Sequence, residues 1–440
     1  MAAITKPGRV TRWLESAHPA LFVLYAVAAS FSTYFCMYAF RKPFAAGQYA
    51  GLELWGMQLK TAFVISQIVG YTLSKYIGIK VCSEASRGRR AVLLVGFIVM
   101  AEAALVLFAI APPSFKVAAI FLNGLPLGMI WGLVVRYLEG RRTSELLLAG
   151  LSCSFILSSG VVKDFGKHLV DAHGVSEWWM PAAAGLFFLP PFIASVWLLN
   201  QVPPPSAADV AARAERQTMD AALRISFVRT FLPGLVLLLV SYFFLTAYRD
   251  FRDNYGVEIL KGLGMLEEAA IFSRTEAIVM FGVLVPLALL VLVKDNRRGL
   301  AGAYAIMTGG MILMGLSTLL FDAGTIGGFW WMTLVGLGVY LAYVPVGSVL
   351  FDRLIASTRA AGTAVFAIYL ADALGYTGSI GVQLYKDFGR PSQSRLDFFK
   401  DFTYVLSVAG VVLLVASLAF FMRRGPRLAP ARLVQQDSIA

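Results

Sequence analysis

The sequence predicts an all-α polytopic membrane protein with twelve transmembrane helices in two six-helix halves. Three observations predict it. Hydrophobic residues make up 58% of the 440 positions and charged residues only 15%, against about 25% charged in an average soluble domain. Apolar runs of membrane-crossing length recur along the whole chain. Lys and Arg gather in every second connection between those runs. A soluble chain of this length would need far more polar surface to cover its cores. A soluble enzyme, a disordered scaffold and a disulfide-rich secreted domain are therefore excluded. The apolar runs are continuous rather than alternating, which excludes a β-barrel.

Residues 1–18 are polar and basic, with Lys6, Arg9 and Arg12. The apolar run that follows is too long for a signal-peptide core and no small-residue cleavage site closes it, so it reads as a first membrane span. A crossing helix needs about 20 apolar residues. Twelve segments meet that need: 19–43, 58–79, 91–111, 117–138, 145–168, 179–199, 229–250, 269–293, 300–320, 328–351, 360–384 and 402–422. The longest connection, 200–228, opens with Pro203-Pro204-Pro205 and continues Ala/Arg/Glu-rich, as a short amphipathic surface helix would. It divides the chain into a bundle over 1–199, a linker over 200–228, a bundle over 229–422 and a tail over 423–440.

The net charge is +12, from 38 Lys and Arg against 26 Asp and Glu. In a soluble protein that excess would point to nucleic acid; here its distribution gives a simpler reason. The N-terminus and every second connection hold 22 of the 38 basic residues. Lys and Arg accumulate on the cytoplasmic side of membrane proteins, so both termini are expected in the cytoplasm of an inner-membrane protein. An even number of spans agrees with that. The lipid bilayer is the expected partner, nucleic acid is not, and a monomer is expected. Cys36, Cys82 and Cys153 lie far apart without a CxxC pattern, so neither a disulfide framework nor a zinc site is indicated. No cofactor is expected.

The two halves carry matching motifs. Tyr34-Phe35-Cys36-Met37-Tyr38-Ala39-Phe40-Arg41 parallels Tyr242-Phe243-Phe244-Leu245-Thr246-Ala247-Tyr248-Arg249 at the ends of spans 1 and 7. Lys163-Asp164-Phe165-Gly166 parallels Lys386-Asp387-Phe388-Gly389 at the ends of spans 5 and 11. Two matches in register argue for a parallel duplication, the repeat symmetry of transporters built from two six-helix halves. Asp-Phe-Gly also occurs in kinases, but here no glycine-rich phosphate loop or His-Arg-Asp loop accompanies it.

Tyr38-Ala39-Phe40-Arg41-Lys42-Pro43-Phe44-Ala45 resembles the first-helix segment of the organophosphate:phosphate antiporters, the family of glycerol-3-phosphate and hexose-phosphate transporters within the major facilitator superfamily. Ala360-Ala361-Gly362-Thr363-Ala364, Gly375-Tyr376-Thr377-Gly378-Ser379 and Asp387-Phe388-Gly389 also look like that family, and Arg249 falls where its seventh helix carries a second arginine. The resemblance implies the major-facilitator fold and phosphate binding by Arg41 and Arg249. The chain departs from the family as a divergent branch would. Span 5 reads Ser152-Cys153-Ser154-Phe155-Ile156 without the family's histidine, and Asp250-Phe251-Arg252-Asp253 adds charge after Arg249. The superfamily loop between spans 2 and 3 lacks its aspartate.

Ionisable groups inside spans are costly and usually face a cavity or a partner. A pair of guanidiniums, one from each half, suits a multi-oxygen anion because each planar fork can donate two parallel hydrogen bonds. Arg41 and Arg249 are thus the principal substrate-binding candidates, set against snorkelling to the outer headgroups. Lys42 reads as interfacial or as a third cation of the site. Tyr34, Tyr38 and Tyr242 precede the arginines at spacings that keep them near the same helix face. Gln67, Asn123 and Trp131 are further substrate-binding candidates on helices that would border a cavity. Asp372 and Glu102, each mid-span, are coupling candidates, since burial raises a carboxyl pKa. Arg136, Glu139, Asp352 and Arg353 read as gate or interface residues. Gly124, Gly128 and Gly132 recur every four residues, a spacing that lets helices approach closely. His168, His173 and Asp171 could ligate a metal only weakly.

The function expected is secondary active transport of a small organic anion or phosphate ester by alternating access, as antiport with inorganic phosphate or symport with protons. A proton-coupled carrier for a non-anionic solute is one alternative. A transporter-like receptor that signals without transport is another, but the linker and tail are short for docking a partner. A polytopic enzyme would need a clustered catalytic set, and no HExxH, GxSxG or Asp-rich metal box occurs.

Overall fold

The computed structural model describes residues 8–54, 56–206, 209, 221–358 and 364–423. Residues 207, 208 and 210–220 of the 200–228 linker, the tail beyond Arg423, and Arg359, Ala360, Ala361, Gly362 and Thr363 lie outside the described residues. A short helix, α1 (Arg9–Ser16), precedes the spans, and Thr11 Oγ1 donates to Gln201 Oε1 at 3.2 Å. Then come α2 (Pro19–Tyr38), a 3-10 turn (Pro43–Ala46), a hairpin of β1 (Glu53–Leu54) and β2 (Met57–Gln58), α3 (Leu59–Glu84), α4 (Arg87–Ile110), α5 (Pro113–Leu138), α6 (Ser144–His173) and α7 (Met180–Asn200). The second half gives α8 (Ala221–Asn254), α9 (Gly256–Gly262), α10 (Ile271–Val291), α11 (Asn296–Asp322), α12 (Gly328–Pro345), α13 (Phe351–Thr358), α14 (Ala364–Leu384) and α15 (Arg395–Arg423). Two π-turns, Val346–Leu350 and Tyr385–Gly389, follow α12 and α14.

Ten of the described helices are long and apolar enough to cross a membrane. The other two expected spans fall on α3 and α14, helices of 26 and 21 residues. The chain is an all-α, multi-pass integral membrane protein.

Several helix ends differ from the sequence expectation, each for a local reason. The first span was expected to run to residue 43, but α2 stops at Tyr38. Pro43 has no N–H to donate to the Ala39 carbonyl, and the chain tightens before it through Arg41 N–H to the Tyr38 carbonyl at 3.0 Å. No proline follows Arg249, and α8 continues to Asn254. Likewise α6 runs past 168 to His173, and α15 starts at Arg395 rather than 402. The extra turns of α8 and α15 carry Arg252, Asp253 and Arg395, whose ion pairs are described below.

The chain forms two compact units. One contains Met1–Arg213, Asp250–Leu284 and Ile380–Phe399; the other contains Ala214–Arg249, Val285–Ser379 and Lys400–Ala440. In the first unit α3 and α5 pack with their backbones close. A Cβ added at Gly124 would stand 3.0 Å from the Tyr71 amide nitrogen and strike the Gln67 carbonyl, and one at Gly128 would stand 2.8 Å from Ser74 Oγ. The small-residue spacing read in the sequence thus serves this approach. The three cysteines are buried and free.

Candidate functional site

In the first unit, the turn that ends α2 places Arg41 inside the protein, 5% exposed. Its guanidinium lies over the Tyr71 ring of α3, 4.0 Å from the centroid, and 5.7 Å from that of Tyr38. A guanidinium held over an aromatic ring is attracted by the negative charge of the ring face. The backbone of the turn is held by two buried amides. Gln67 Nε2 donates to the Arg41 carbonyl at 3.0 Å and to Asn123 Oδ1 at 2.9 Å. Asn123 Nδ2 donates to the Phe40 carbonyl at 2.9 Å and to the Ala101 carbonyl at 3.1 Å. Gln67 and Asn123 therefore clamp the turn between α3, α4 and α5. Tyr34 stands edge-on to Trp131 at 4.9 Å and to Tyr38 at 5.7 Å.

In the second unit, Arg249 stands five residues before the end of α8 and lies over the Tyr343 ring at 4.0 Å, with Tyr376 at 5.9 Å. Tyr242 stacks on Tyr343 at 5.2 Å, and its hydroxyl donates to Asp372 Oδ1 at 3.1 Å. Each half thus seats its motif arginine on a tyrosine ring from another helix. Six of the sequence candidates, Arg41, Tyr34, Tyr38, Gln67, Asn123 and Trp131, form one contiguous group. Arg249, Tyr242 and Asp372 meet in a second.

A layer of buried charge lies in the first unit where the α2–α3 connection, the end of α6, the end of α8, α9 and the start of α15 come together. Lys42 is 3% exposed and donates to Asn254 Oδ1 at 2.9 Å while pairing with Asp253. Asp253 also takes Lys163 Nζ at 2.8 Å and the Ser159 hydroxyl. Lys60 pairs with Glu258 at 2.7 Å, Arg252 with Glu276 at 2.6 Å, and Arg395 with Asp387 at 2.5 Å. Arg395 also donates to Thr61 Oγ1 at 3.1 Å, and Thr61 shares a 2.9 Å hydrogen bond with the Tyr255 hydroxyl. The repeated Lys-Asp-Phe-Gly motifs both belong here. Asp164 accepts from Ser273 N–H at 2.6 Å at the start of α10, and Asp387 holds Arg395 of α15. Charges so deep are tolerable because nearly every one has an opposite partner.

The expected gate residues divide between the units. Arg136 pairs with Glu139 at 3.0 Å, and its carbonyl accepts from Arg90 Nη1. Arg353 is buried and donates to Asn296 Oδ1 at 3.1 Å, whereas Asp352 is exposed. Glu102 is buried in α4 with neither carboxylate oxygen hydrogen-bonded. The His168 and His173 rings stand 5.1 Å apart, and among the described residues no group of His, Cys, Asp or Glu could hold a metal ion.

Sequence reasoning missed Tyr71 and Tyr343, which sit on helices with no motif to mark them. It also missed the role of Asp253. The density of charge in Asp250-Phe251-Arg252-Asp253 was the available signal, since three charged positions at a span end demand partners.

The fold resembles solved transporters. A D-xylose-proton symporter structure matches with a TM-score of 0.60 at 15% identity, covering 94% of this chain and 98% of that one. The nucleoside transporter NupG matches with a TM-score of 0.58 as a D323A mutant and 0.56 otherwise, at 15% and 14% identity, each covering 91% of this chain and at least 98% of the other. The chain therefore has the major-facilitator fold. No curated protein matches it in sequence. Residues 43–424 match the family described as "Family of unknown function (DUF5690)", and the chain belongs to that family.

Proposed function

We propose that the chain is a secondary transporter that carries a small organic anion or phosphate ester across the inner membrane by alternating access. Both termini are cytoplasmic on this reading, and the halves 1–199 and 229–422 rock against each other. The observation that carries the reading is the paired seating of Arg41 on Tyr71 and of Arg249 on Tyr343. Two pre-oriented guanidinium forks, one from each repeat, provide the donors an oxyanion requires. Tyr34, Tyr38, Tyr242 and Trp131 supply rings beside them, and Asp372, tied to Tyr242, is positioned to sense occupancy. The clamp of Gln67 and Asn123 fixes the turn without contacting the solute itself. Lys42 belongs to the gate rather than to the solute, because its charge is matched by Asp253.

With cytoplasmic termini, the Lys42–Asp253–Lys163 layer lies at the outer end of the first unit. It joins residues of the first half to residues of the second. Those ion pairs must part when the outer side opens, and the Arg136–Glu139 pair and Arg353 belong to the inner side.

A second reading is a proton-coupled carrier for a neutral polyhydroxylated solute. It is favoured by the neighbours, which are described as a D-xylose-proton symporter and a nucleoside transporter. Counterflow in proteoliposomes tests the two together, using labelled glycerol 3-phosphate, succinate, xylose and uridine. The anion reading expects uptake of one of the first two, lost in Arg41→Lys, because lysine cannot donate bidentately. Uptake of xylose or uridine alone, unchanged in Arg41→Lys, contradicts it and selects the second reading.

A further inference from the structure

Glu102 lies midway along α4, 6% exposed, with both carboxylate oxygens lacking a hydrogen-bond partner. The carboxyl packs on α7 where Gly185 leaves room for it. A Cβ there would collide with Oε2, stand 3.0 Å from Cδ, and stand 3.1 Å from the Phe40 ring. Among the described residues, no cation answers this carboxyl from any element packed around it. The helices α2 and α7 contain no acidic or basic residue. On α5, the Lys116 ammonium is committed to the Ala109 carbonyl at 3.0 Å and to that of Phe108, and Arg136 is paired with Glu139 at 3.0 Å. Arg87, Arg89 and Arg90 begin α4, and the nearest of them is about 18 Å away along the helix. Tyr34 and Tyr38 of α2 belong to the aromatic group around Arg41.

An ionised carboxylate without a partner in such surroundings is strongly disfavoured, whereas the neutral acid is tolerated. The neutral acid is the form this packing accommodates. It can ionise only if water reaches it, and that requires α7 to draw away from α4 at Gly185. The change would not stay local. The Ala101 carbonyl, next to Glu102, accepts from Asn123, whose amide also holds the Phe40 carbonyl. Gln67 joins Asn123 to the Arg41 carbonyl. The Phe40 ring borders the carboxyl, and Arg41 is the next residue.

We infer that Glu102 is a proton-binding site whose occupancy is linked to the position of the Phe40–Arg41 turn. Protonated, it lets α4 and α7 close over it; deprotonated, it parts them and shifts the turn. By linkage, whatever moves the turn alters the affinity of Glu102 for its proton. The inference rests on the carrier reading only in naming this proton as one the carrier moves; the protonation and its link to the turn stand apart from it.

The test uses the full chain in lipid nanodiscs without any solute, so that a failed transport assay leaves its readouts intact. Infrared spectra at neutral pH should show the carbonyl band of a protonated carboxyl in apolar surroundings, and that band should be missing in Glu102→Gln. In Gly185→Ala the added methyl displaces the carboxyl, and the band should shift. Raising the pH until the wild-type band disappears should speed amide exchange across residues 38–46 beyond the intrinsic chemical increase, and Glu102→Gln should abolish that excess. A wild-type spectrum without the band, or one identical to that of Glu102→Gln, overturns the proton site. An unshifted band in Gly185→Ala overturns the role of the α4–α7 contact. Equal exchange in wild type and Glu102→Gln overturns the link to the turn.

Discussion

Lys163 Nζ stands 2.8 Å from Asp253 Oδ1, and the other oxygen of the same carboxylate pairs with Lys42. One aspartate from the end of α8 thus holds two lysines, one following α2 and one on α6, and all three are buried. Removing the shared carboxylate would leave two uncompensated ammonium groups, while removing either lysine leaves the other pair in place. Asp253→Asn should therefore destabilise the protein by about 3–5 kcal/mol, the typical cost of orphaning a buried charge, and Lys42→Met by clearly less. Denaturant unfolding in detergent micelles measures both; equal effects would mean that the lysines are not matched through Asp253.

The Tyr242 hydroxyl reaches Asp372 while its ring stacks on Tyr343. Tyr242→Phe keeps the stack and loses only the hydrogen bond. The expected loss is about 1–3 kcal/mol, read by thermal unfolding, and Asp372→Asn combined with Tyr242→Phe should add little to it. Additive losses would show that the two groups act separately.

Gly128 of α5 meets the Tyr71 carbonyl and the Ser74 side chain of α3. Gly128→Val forces those backbones apart and should cost about 1–3 kcal/mol or more through overpacking. Because Tyr71 carries Arg41 on its ring, the substitution should also weaken solute binding. Normal stability and binding in Gly128→Val would show that the close approach is dispensable.

Asp209 lies outside the spans. Burial alone would raise its pKa, but N–H donors from Arg142 and Ser206, the Ser206 hydroxyl and the Arg141 charge outweigh it and lower the pKa below the ordinary aspartate value. A depressed acid stabilises fully above its unfolded pKa, and that contribution is lost as pH falls through the folded value. The linker anchorage should thus be constant through neutral pH and loosen only in strong acid. Asp209→Asn should mimic the acid state at neutral pH, giving faster amide exchange at Arg142 and Ser206, whose N–H groups donate to Asp209; unchanged exchange would contradict the anchorage.

Much of the fold was legible in the sequence because hydropathy acts over whole segments. The apolar runs are what the bilayer selects, and neighbouring contacts need not be known to see them. Helix ends were less legible. Pro43 breaks α2 early, whereas the charged end of α8 stays helical, with Asp253 partnered by Lys42 and Lys163 and Arg252 by Glu276. The site was half visible. Arg41 and Arg249 stood out as cations inside apolar runs and as members of a repeat. Their platforms, Tyr71 and Tyr343, could not be foreseen, since nothing in one helix specifies which ring a neighbouring helix brings to it. The repeated Lys-Asp-Phe-Gly motif was visible as duplication, but its use as a cap by Asp164 and as an ion pair by Asp387 depends on tertiary contact.

The proposed function requires that solute binding depend on both Arg41 and Arg249. The most direct measurement is ligand-induced thermal stabilisation of the purified wild type, Arg41→Ala and Arg249→Ala with inorganic phosphate, glycerol 3-phosphate, succinate, xylose and uridine. A ligand that binds only the native state raises the apparent melting temperature. The account predicts that phosphate, glycerol 3-phosphate or succinate stabilises the wild type and that either single substitution abolishes the shift. A shift of the same size in wild type and both variants, or a shift with xylose or uridine alone, would contradict it.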